Sequence, residues 1–225
     1  MAELRLLSYN VRSLRDDAWA VSDVIRACAP DVVAVQEAPR FLRWRSKRAE
    51  LARRSALLVA TADRPGGLML MTTLATTVVG TSFTLLPKSP RLHQRAVCTA
   101  DVELHGARWR VASIHFSLDR DERQRHLPAF RAAVGSDSSP LVVAGDVNEG
   151  PKGAVWQALS EQWQDAYAVA PSGEGDTFST HNRRKRIDGI FADRRVEVVE
   201  CRVVDDVEGV TAASDHYPVL AVLRQ

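Results

Sequence analysis

Short apolar runs of strand length recur throughout this 225-residue chain, and they constrain its fold more than any other feature. Such runs indicate buried or half-buried strands. They cover residues 4–9, 32–36, 57–61, 68–73, 77–86, 96–104, 109–116, 141–144, 187–192, 196–204 and 217–223. Helical patterns are fewer and cover residues 17–29, 40–54, 119–134 and 153–159. The excess of strands predicts a mixed α/β fold with two packed sheets and outer helices.

The runs at 95–104 and 108–115 are separated by His105-Gly106-Ala107, which predicts a β-hairpin because Gly supplies the backbone angle of a tight turn. Hairpins are incompatible with an all-parallel, doubly wound sheet. Residues 171–176 are predicted to be a long mobile loop. No other segment resembles a linker, so the sequence predicts one domain over residues 1–225.

The composition is that of an ordinary globular protein, with 45% hydrophobic and 26% charged residues. A net charge of +2 gives no global field that would indicate nucleic acid binding. The three cysteines are widely spaced in apolar contexts, which predicts buried thiols and not a disulfide framework or a metal site. The sequence contains no signal-peptide or membrane-spanning pattern, which predicts a cytoplasmic enzyme without membrane insertion.

The tetrapeptide Gly145-Asp146-Val147-Asn148 directly follows the strand-like run Leu141-Val142-Val143-Ala144. Asp146 and Asn148 therefore lie just past a strand end, two residues apart. The first supplies carboxylate oxygens and the second an amide that both donates and accepts hydrogen bonds. This pair is suited to polarising a water molecule and holding an anionic oxygen. Asp and Asn are also common turn residues, so the pattern alone is compatible with a purely structural role.

Polar side chains recur at the ends of other predicted strands. They are Asn10, Glu37, His115, Asp188 and the adjacent pair Asp215-His216. Taken singly, each has a structural explanation, such as a turn at Asn10, a solvated strand end at Glu37 or a core imidazole at His115. Asp188 has arginines beside it and is open to a simple ion pair. Together these explanations require several unrelated coincidences, so the set indicates one site on a rigid scaffold.

The four carboxylates of this set would repel one another if they converged without compensation. A hard divalent cation removes that repulsion, and Mg²⁺ binds a few carboxylate oxygens plus water. The absence of a cysteine cluster or a zinc-binding helix motif disfavours Zn²⁺. The histidines provide proton transfer or contact an anionic substrate. The set predicts a Mg²⁺-dependent phosphoester hydrolase, with Mn²⁺ as an alternative ion.

In the order and type of these residues the chain resembles the endonuclease/exonuclease/phosphatase superfamily, which includes nucleases, sphingomyelinases and inositol polyphosphate phosphatases. The matching segments are Asn10, Gln36-Glu37, His115, Gly145-Asp146-Val147-Asn148, Arg186-Ile187-Asp188 and Ser214-Asp215-His216. The resemblance spans residues 6–222. It implies a four-layer α/β sandwich, in which two packed mixed sheets are flanked by helices and the site lies at one edge of the sheets.

The resemblance also implies roles for individual residues. Glu37 would be the main Mg²⁺ ligand, with Asn10 beside it and Asp215 completing the metal environment. Asp146 would orient or deprotonate the attacking water. Asn148 would hold a phosphate oxygen.

On the same basis, His216 would contact the scissile phosphate and Asp188 would orient it. His115 matches a position at which some members use His to assist the leaving group or the phosphate. Abasic-site endonucleases use Tyr there, which disfavours that repair activity. The segment Ser113-Ile114-His115-Phe116 departs from the Asn-Thr-His-Leu of many members, and the chain is short for the family. Phe116 and Leu118 are candidates for the rim of the site, with a core role expected for at least one of them.

Basic residues cluster at 40–54 and at 183–186, and the second cluster immediately precedes Asp188. The first has helical spacing, which is typical of a solvated face. The second is expected near the site, where it would meet phosphates. The leading hypothesis is a phosphodiesterase acting on a nuclease-type substrate, with nucleic acid as the candidate partner. A phosphomonoesterase for a small metabolite or lipid headgroup is the alternative, followed by a non-catalytic binding module. Neither the substrate nor the oligomeric state can be read from the sequence.

Overall fold

The computed structural model describes residues 1–61, 64–135 and 139–225. Two mixed β-sheets pack face to face, and helices cover their outer faces. Most neighbouring strands are antiparallel, but the seven-stranded sheet contains two parallel pairs and the six-stranded sheet contains one. The predicted α/β sandwich with two packed mixed sheets is therefore confirmed.

The strands are numbered along the chain. From edge to edge, the seven-stranded sheet contains β10 (Pro171–Ser172), β12 (Glu197–Val203), β13 (Val219–Arg224), β1 (Glu3–Asn10), β2 (Val32–Gln36), β4 (Met69–Thr72) and β3 (Leu58–Thr61). The six-stranded sheet contains β5 (Thr77–Leu85), β6 (Ala96–Leu104), β7 (Ala107–His115), β8 (Leu141–Asp146), β11 (Asp188–Ala192) and β9 (Gln164–Asp165). The helices are α1 (Ala18–Cys28), α2 (Trp44–Arg54), α3 (Arg120–Val134), α4 (Ala154–Gln162), α5 (Ala166–Val169) and α6 (Val210–Ala213).

The alternation of side chains along β8 explains how the layers are held together. Val142 and Ala144 point into the core between the sheets, whereas Leu141 and Val143 point outward into a second core. This second core contains Phe130 of α3 and further apolar residues of α4. Because side chains of a strand alternate between faces, a continuous apolar run is what a strand buried on both sides requires.

Helix α1 shows why the sequence pattern located a helix correctly. Val21, Val24, Ile25 and Cys28 are buried and share one face at helical spacing. Asp17 caps the first turn, since its side chain accepts hydrogen bonds from the backbone N–H groups of residues 19 and 20. The helix ends at residue 28, two residues before a proline.

Two sequence predictions differ from the structure. Helix α2 begins at Trp44 and not at residue 40, because Arg43 has a left-handed backbone (φ 58°) and provides no side-chain cap. The segment 171–176 is not an entirely irregular loop. Pro171 and Ser172 pair with β12, and the Arg183 guanidinium donates hydrogen bonds to the carbonyl oxygens of residues 174 and 176.

Other predicted features agree with the structure. The hairpin forms between β6 and β7, with His105 and Gly106 both at positive φ, the geometry of a tight two-residue hairpin turn. The three cysteines are buried thiols. Within the described ranges, no helix combines the length and apolarity that a membrane span requires.

Strand register brings the polar strand ends together. In the parallel pair β1–β2, Asn10 lies opposite Gln36, the residue before Glu37. In the parallel pair β7–β8, His115 lies opposite Asp146. In the antiparallel pair β8–β11, Asp146 also lies opposite Asp188. The polar residues of both sheets therefore meet at one edge of the sandwich.

Candidate active site

Asp146 lies at the centre of this edge. It is a buried residue, with 1% of its surface exposed. The Asn10 amide donates to Oδ2 at 3.1 Å, and the backbone N–H of Asn148 donates to Oδ1 at 2.8 Å. Burial, followed by the nearby charge of Asp188, raises the pKa of Asp146 to about 7. A carboxyl group with a pKa near neutrality can both accept and release a proton under ordinary conditions.

His216 lies between two carboxylates. Its Nδ1 is 2.8 Å from Asp188 Oδ2, and its Nε2 is 3.9 Å from Asp146 Oδ2. Burial by itself would lower the pKa of His216, but the charge of Asp188 and its hydrogen bond raise it to about 10. The imidazole is therefore protonated at neutral pH, with its Nε2–H directed toward the Asp146 side of the site.

Asp188 is fixed by Thr177, a residue that the sequence did not single out. The Thr177 hydroxyl donates to Asp188 Oδ2 at 2.6 Å and accepts the backbone N–H groups of residues 187 and 188. The structural alternative, an ion pair of Asp188 with a neighbouring arginine, is not found among the described residues. Arg186 pairs with Asp165 at 2.7 Å instead. Thr177 lies in a loop, where no hydrophobic pattern or motif marked it.

His115 is the third ionisable group at this edge. Its Nε2 lies 3.4 Å from Asp146 Oδ2, and the side chain is buried. Burial, followed by the charge of Arg95, lowers the pKa of His115 well below its ordinary value. His115 is therefore neutral where His216 is charged, so the two histidines differ in what they offer an anionic substrate.

The backbone conformation of Asn148 places its side-chain amide next to the end of β7. Its backbone has φ 58°, a left-handed conformation that Asn tolerates better than most residues. The Nδ2 amide donates to the carbonyl oxygen of Phe116 at 3.0 Å, which leaves its second N–H and its oxygen for another partner.

Glu37, Asn10 and Asp215 form the acidic and amide side of the site. Glu37 follows β2 with φ 51°, and its carboxylate lines the cleft with no hydrogen bond or ion pair among the described residues. Asp215 Oδ2 lies 3.3 Å from Arg12 Nε. Asn10 Oδ1 accepts the backbone N–H of Arg12 at 3.1 Å and retains a second lone pair. Two carboxylates and an amide oxygen are a donor set that fits a hard divalent cation.

A second cluster of ionisable residues is more deeply buried. Single ligand-type atoms of Asp146, Asp188 and His216 lie within 4.8 Å of one another. This trio has two carboxylates around one protonated imidazole, and the charged imidazole already occupies the space between them. Its chemistry is that of a proton-carrying hydrogen-bond chain, since a metal-bound His must be neutral.

These groups open into one cleft of about 1050 Å³. Six of the predicted site residues line it, namely Glu37, His115, Asp146, Asn148, Asp215 and His216. The other two are hydrogen-bonded to lining residues, Asn10 to Asp146 and Asp188 to His216. Arg184 and Lys185 also line the cleft, as expected for the basic segment next to Asp188, and so does Lys152 from another segment. Phe116 is buried in the core and Leu118 is 76% exposed at the rim, so each of the two predicted roles is found.

Arg95 and Phe178 are cleft residues that the sequence did not indicate. The Arg95 side chain lines the cleft although the residue is only 7% exposed. The Phe178 ring packs on His216, with ring centroids 4.8 Å apart. Each lies in or beside an irregular segment, and a single arginine or phenylalanine there has no distinctive spacing.

Several solved structures share this fold across nearly the whole chain. An endonuclease/exonuclease/phosphatase from Bacteroides vulgatus has a TM-score of 0.80 at 20% identity, covering 100% of this chain and 99% of that one. A mannosyl-6-phosphatase of Bacteroides thetaiotaomicron has a TM-score of 0.83 at 15% identity, covering 99% and 100%. TDP2 of D. rerio in complex with a single-stranded DNA product has a TM-score of 0.77 at 17% identity, covering all of both chains.

A comparison with curated protein sequences gives no match. The model of the Endonuclease/Exonuclease/phosphatase family, however, matches residues 7–216, which is most of the chain and includes every site residue described above. Members of that family hydrolyse phosphoester bonds with the help of divalent metal ions. With the sandwich fold and the cleft at the strand ends, this match shows that the chain belongs to the Endonuclease/Exonuclease/phosphatase family.

Proposed function

We propose that this protein is a Mg²⁺-dependent phosphodiesterase that attacks a nuclease-type substrate with water. The observation that carries the proposal is the position of His216, held by Asp188 at 2.8 Å on one side and 3.9 Å from Asp146 on the other. A charged imidazole next to a carboxyl of near-neutral pKa, on the floor of an open cleft, is suited to acid–base chemistry on an anionic substrate.

Glu37 is the proposed principal ligand of the metal, with Asn10 and Asp215 beside it. The Glu37 carboxylate supports this assignment, because it contacts no cationic side chain among residues 1–61, 64–135 and 139–225. When bound, Mg²⁺ would polarise the phosphoryl oxygen and stabilise negative charge on the leaving oxygen, and Mn²⁺ would serve as a substitute. Arg12 holds Asp215 at 3.3 Å and so limits the directions in which that carboxylate can turn.

The protein's own residues supply the remaining steps. Asp146 orients the attacking water and accepts its proton, which its raised pKa permits. The free N–H of the Asn148 amide and the Nε2–H of His216 donate to phosphate oxygens, where negative charge accumulates during attack. Neutral His115 lies on the other side of Asp146 and assists the phosphate or the leaving group.

The shape and charge of the cleft support a diester over a small monoester. Lys152, Arg184 and Lys185 line the cleft without ion pairs to any described residue, and each adds positive charge to its wall. Such a surface suits the neighbouring phosphates of a nucleic acid strand. The D. rerio TDP2 structure with a single-stranded DNA product has the same fold and gives a precedent for this substrate class.

A phosphomonoesterase is the second candidate. The mannosyl-6-phosphatase of Bacteroides thetaiotaomicron matches over the full length of both chains, so the fold at this size accommodates monoester hydrolysis. A non-catalytic binding module is disfavoured, because the chain retains every residue that the proposed chemistry uses. The cytoplasmic location predicted from the sequence stays a prediction.

A substrate panel with added Mg²⁺ or Mn²⁺ tests the proposal. It compares single- and double-stranded DNA, RNA, bis-p-nitrophenyl phosphate and sugar or inositol phosphates. We expect the highest kcat/KM on a diester, with loss of metal-stimulated turnover in Glu37→Ala at an unchanged circular dichroism spectrum. Preference for a monoester would support the second candidate. Wild-type turnover in His216→Ala would refute the assigned chemistry.

A further inference from the structure

Arg95 differs from the other buried arginines of the described chain. Arg48 is 1% exposed and donates to the carbonyl oxygens of residues 39 and 68. Arg123 is 6% exposed and pairs with Glu149 at 2.9 Å. Arg95 is 7% exposed, its Nε has no acceptor, and it makes no ion pair. An unpaired buried charge is destabilising, so a protein that keeps one is expected to use it.

The backbone at Arg95 is firmly held, so the side chain does not lie in the cleft by chance. Its carbonyl oxygen accepts the backbone N–H of Leu86 at 2.9 Å and the side-chain amide of Gln94 at 2.8 Å. The next residue begins β6, which is hydrogen-bonded on one side to β5 and on the other to β7. The guanidinium therefore projects into the cleft from a fixed position, and not from a flexible loop tip.

The charge of Arg95 acts on the proposed catalytic groups without being neutralised by them. Asp146 and Glu37 are its attractive neighbours, and its charge is the second cause of the lowered pKa of His115. Neither carboxylate is close enough to form an ion pair with it. The cleft thus contains a preformed cation that faces the acidic groups across a gap.

We propose that Arg95 binds a nonbridging oxygen of the substrate's phosphoryl group, and so selects a tetrahedral anion for this cleft. The proposal rests on the proposed function for the identity of the substrate. Guanidinium presents N–H donors in a planar fork that fits phosphate oxygens, and such charge-assisted hydrogen bonds are strong when desolvated. The ligand would supply the acceptor that the Arg95 Nε lacks in the protein alone.

Two other roles for Arg95 make different predictions. A structural arginine would contribute to stability, as the ion-paired Arg123 is expected to. An arginine that only balances the carboxylates in place of the metal would leave phosphate affinity unchanged when removed. Phosphate binding, metal binding and stability therefore have to be measured on the same variants.

The test compares Arg95→Met, Arg95→Lys and the matched control Arg123→Met, which removes an equally buried but paired guanidinium. Inorganic phosphate is titrated into the Mg²⁺-saturated protein by calorimetry, and Mg²⁺ is titrated separately. Met keeps the aliphatic volume of the side chain while removing its charge and donors.

For Arg95→Met we expect phosphate affinity to fall about 10- to 100-fold. We expect Mg²⁺ affinity to stay the same or rise, and the melting temperature to stay the same or rise. Arg95→Lys should recover part of the affinity. Arg123→Met should lower the melting temperature and leave the phosphate affinity of the folded protein within about twofold of wild type.

The proposal is wrong if the wild type binds no phosphate, if Arg95→Met binds it within twofold of wild type, or if Arg95→Met loses stability as Arg123→Met does. The calorimetric measurement requires no turnover. If no phosphoester were hydrolysed but phosphate binding still depended on Arg95, the proposed function would fail while this inference would stand.

Discussion

At the scale of single residues, the contact between Asp188 and His216 is the one that most directly controls the proposed chemistry. Asp188→Asn keeps the shape of the side chain but removes the charge that keeps His216 protonated. We expect kcat to fall by about 10²- to 10⁴-fold, with little change in KM, because general acid–base groups contribute on that order. Steady-state kinetics on the best substrate of the panel would measure this.

Asp23→Asn is the control for that variant, since Asp23 forms only a surface ion pair with Arg26. It should retain wild-type kinetics. A loss of activity in Asp188→Asn no larger than that of the control would mean that His216 does not depend on its partner.

Asp146 gives a second prediction at this scale, for stability without metal. Its pKa in the folded protein is raised from 3.8 to about 7, so the folded state binds this proton more tightly than the unfolded state does. The resulting stabilisation is fully present below about pH 4 and is lost as the pH rises through 7. In EDTA, the free energy of unfolding of wild type relative to Asp146→Asn should therefore fall between pH 4 and 7.

The slope of that difference should reach at most about 1.4 kcal/mol per pH unit, the limit for one proton. Urea denaturation at several pH values would measure it. Parallel curves for the two proteins would contradict the raised pKa of Asp146.

Thr177 and Arg95 are cleft and site residues that the sequence does not predict. Asp146, Asn148 and His216 stand next to strongly apolar runs, so their position at strand ends was predictable. Thr177 and Arg95 act through contacts made only after folding, a hydrogen bond to Asp188 and an unpaired charge in a cleft. No local pattern encodes either contact.

At the scale of secondary-structure elements, strand existence was predictable where burial demands a long apolar run. The elements that the sequence did not reveal are two to four residues long, such as β9, α5 and α6. All three are too short for a periodic pattern, and β9 forms because β11 offers it hydrogen-bond partners. The predicted start of α2 was wrong for a related reason. The basic residues with helical spacing begin at residue 40, before the backbone becomes helical at Trp44.

The junction of β7 and β8 leads to a prediction for Gly145. A Cβ at this position would overlap the carbonyl oxygen of Ile114 on β7, so only glycine permits the parallel strands to approach here. Gly145→Ala should lower the free energy of unfolding by about 2–4 kcal/mol and reduce activity, because the next residue is Asp146. Chemical denaturation would measure the first effect.

Gly80→Ala is the matched control on β5, where the nearest atom to an added Cβ is 3.6 Å away. It should change stability by about 1 kcal/mol or less. Equal destabilisation by the two substitutions would show that the close approach of β7 and β8 is not a special constraint.

At the scale of the whole molecule, the site is divided between the two sheets. The proposed metal ligands Asn10, Glu37 and Asp215 all come from strand ends of the seven-stranded sheet. The proposed water- and phosphate-binding groups come mainly from the six-stranded sheet, where Asp146 ends β8 and Arg95 precedes β6. The hydrogen bond from Asn10 to Asp146 joins the two halves at 3.1 Å.

This division predicts that metal binding and turnover can be separated by substitution. In wild type, Mg²⁺ at about 100 times its Kd should raise Tm by about 5–10 °C, since a ligand that binds only the folded state stabilises it. Glu37→Gln should lose both this rise and turnover. Asn148→Ala should lose turnover but keep the rise, because its side chain belongs to the other sheet. Thermal melts over a range of Mg²⁺ concentrations would measure this, and loss of the rise in Asn148→Ala would show that the two halves act as one metal site.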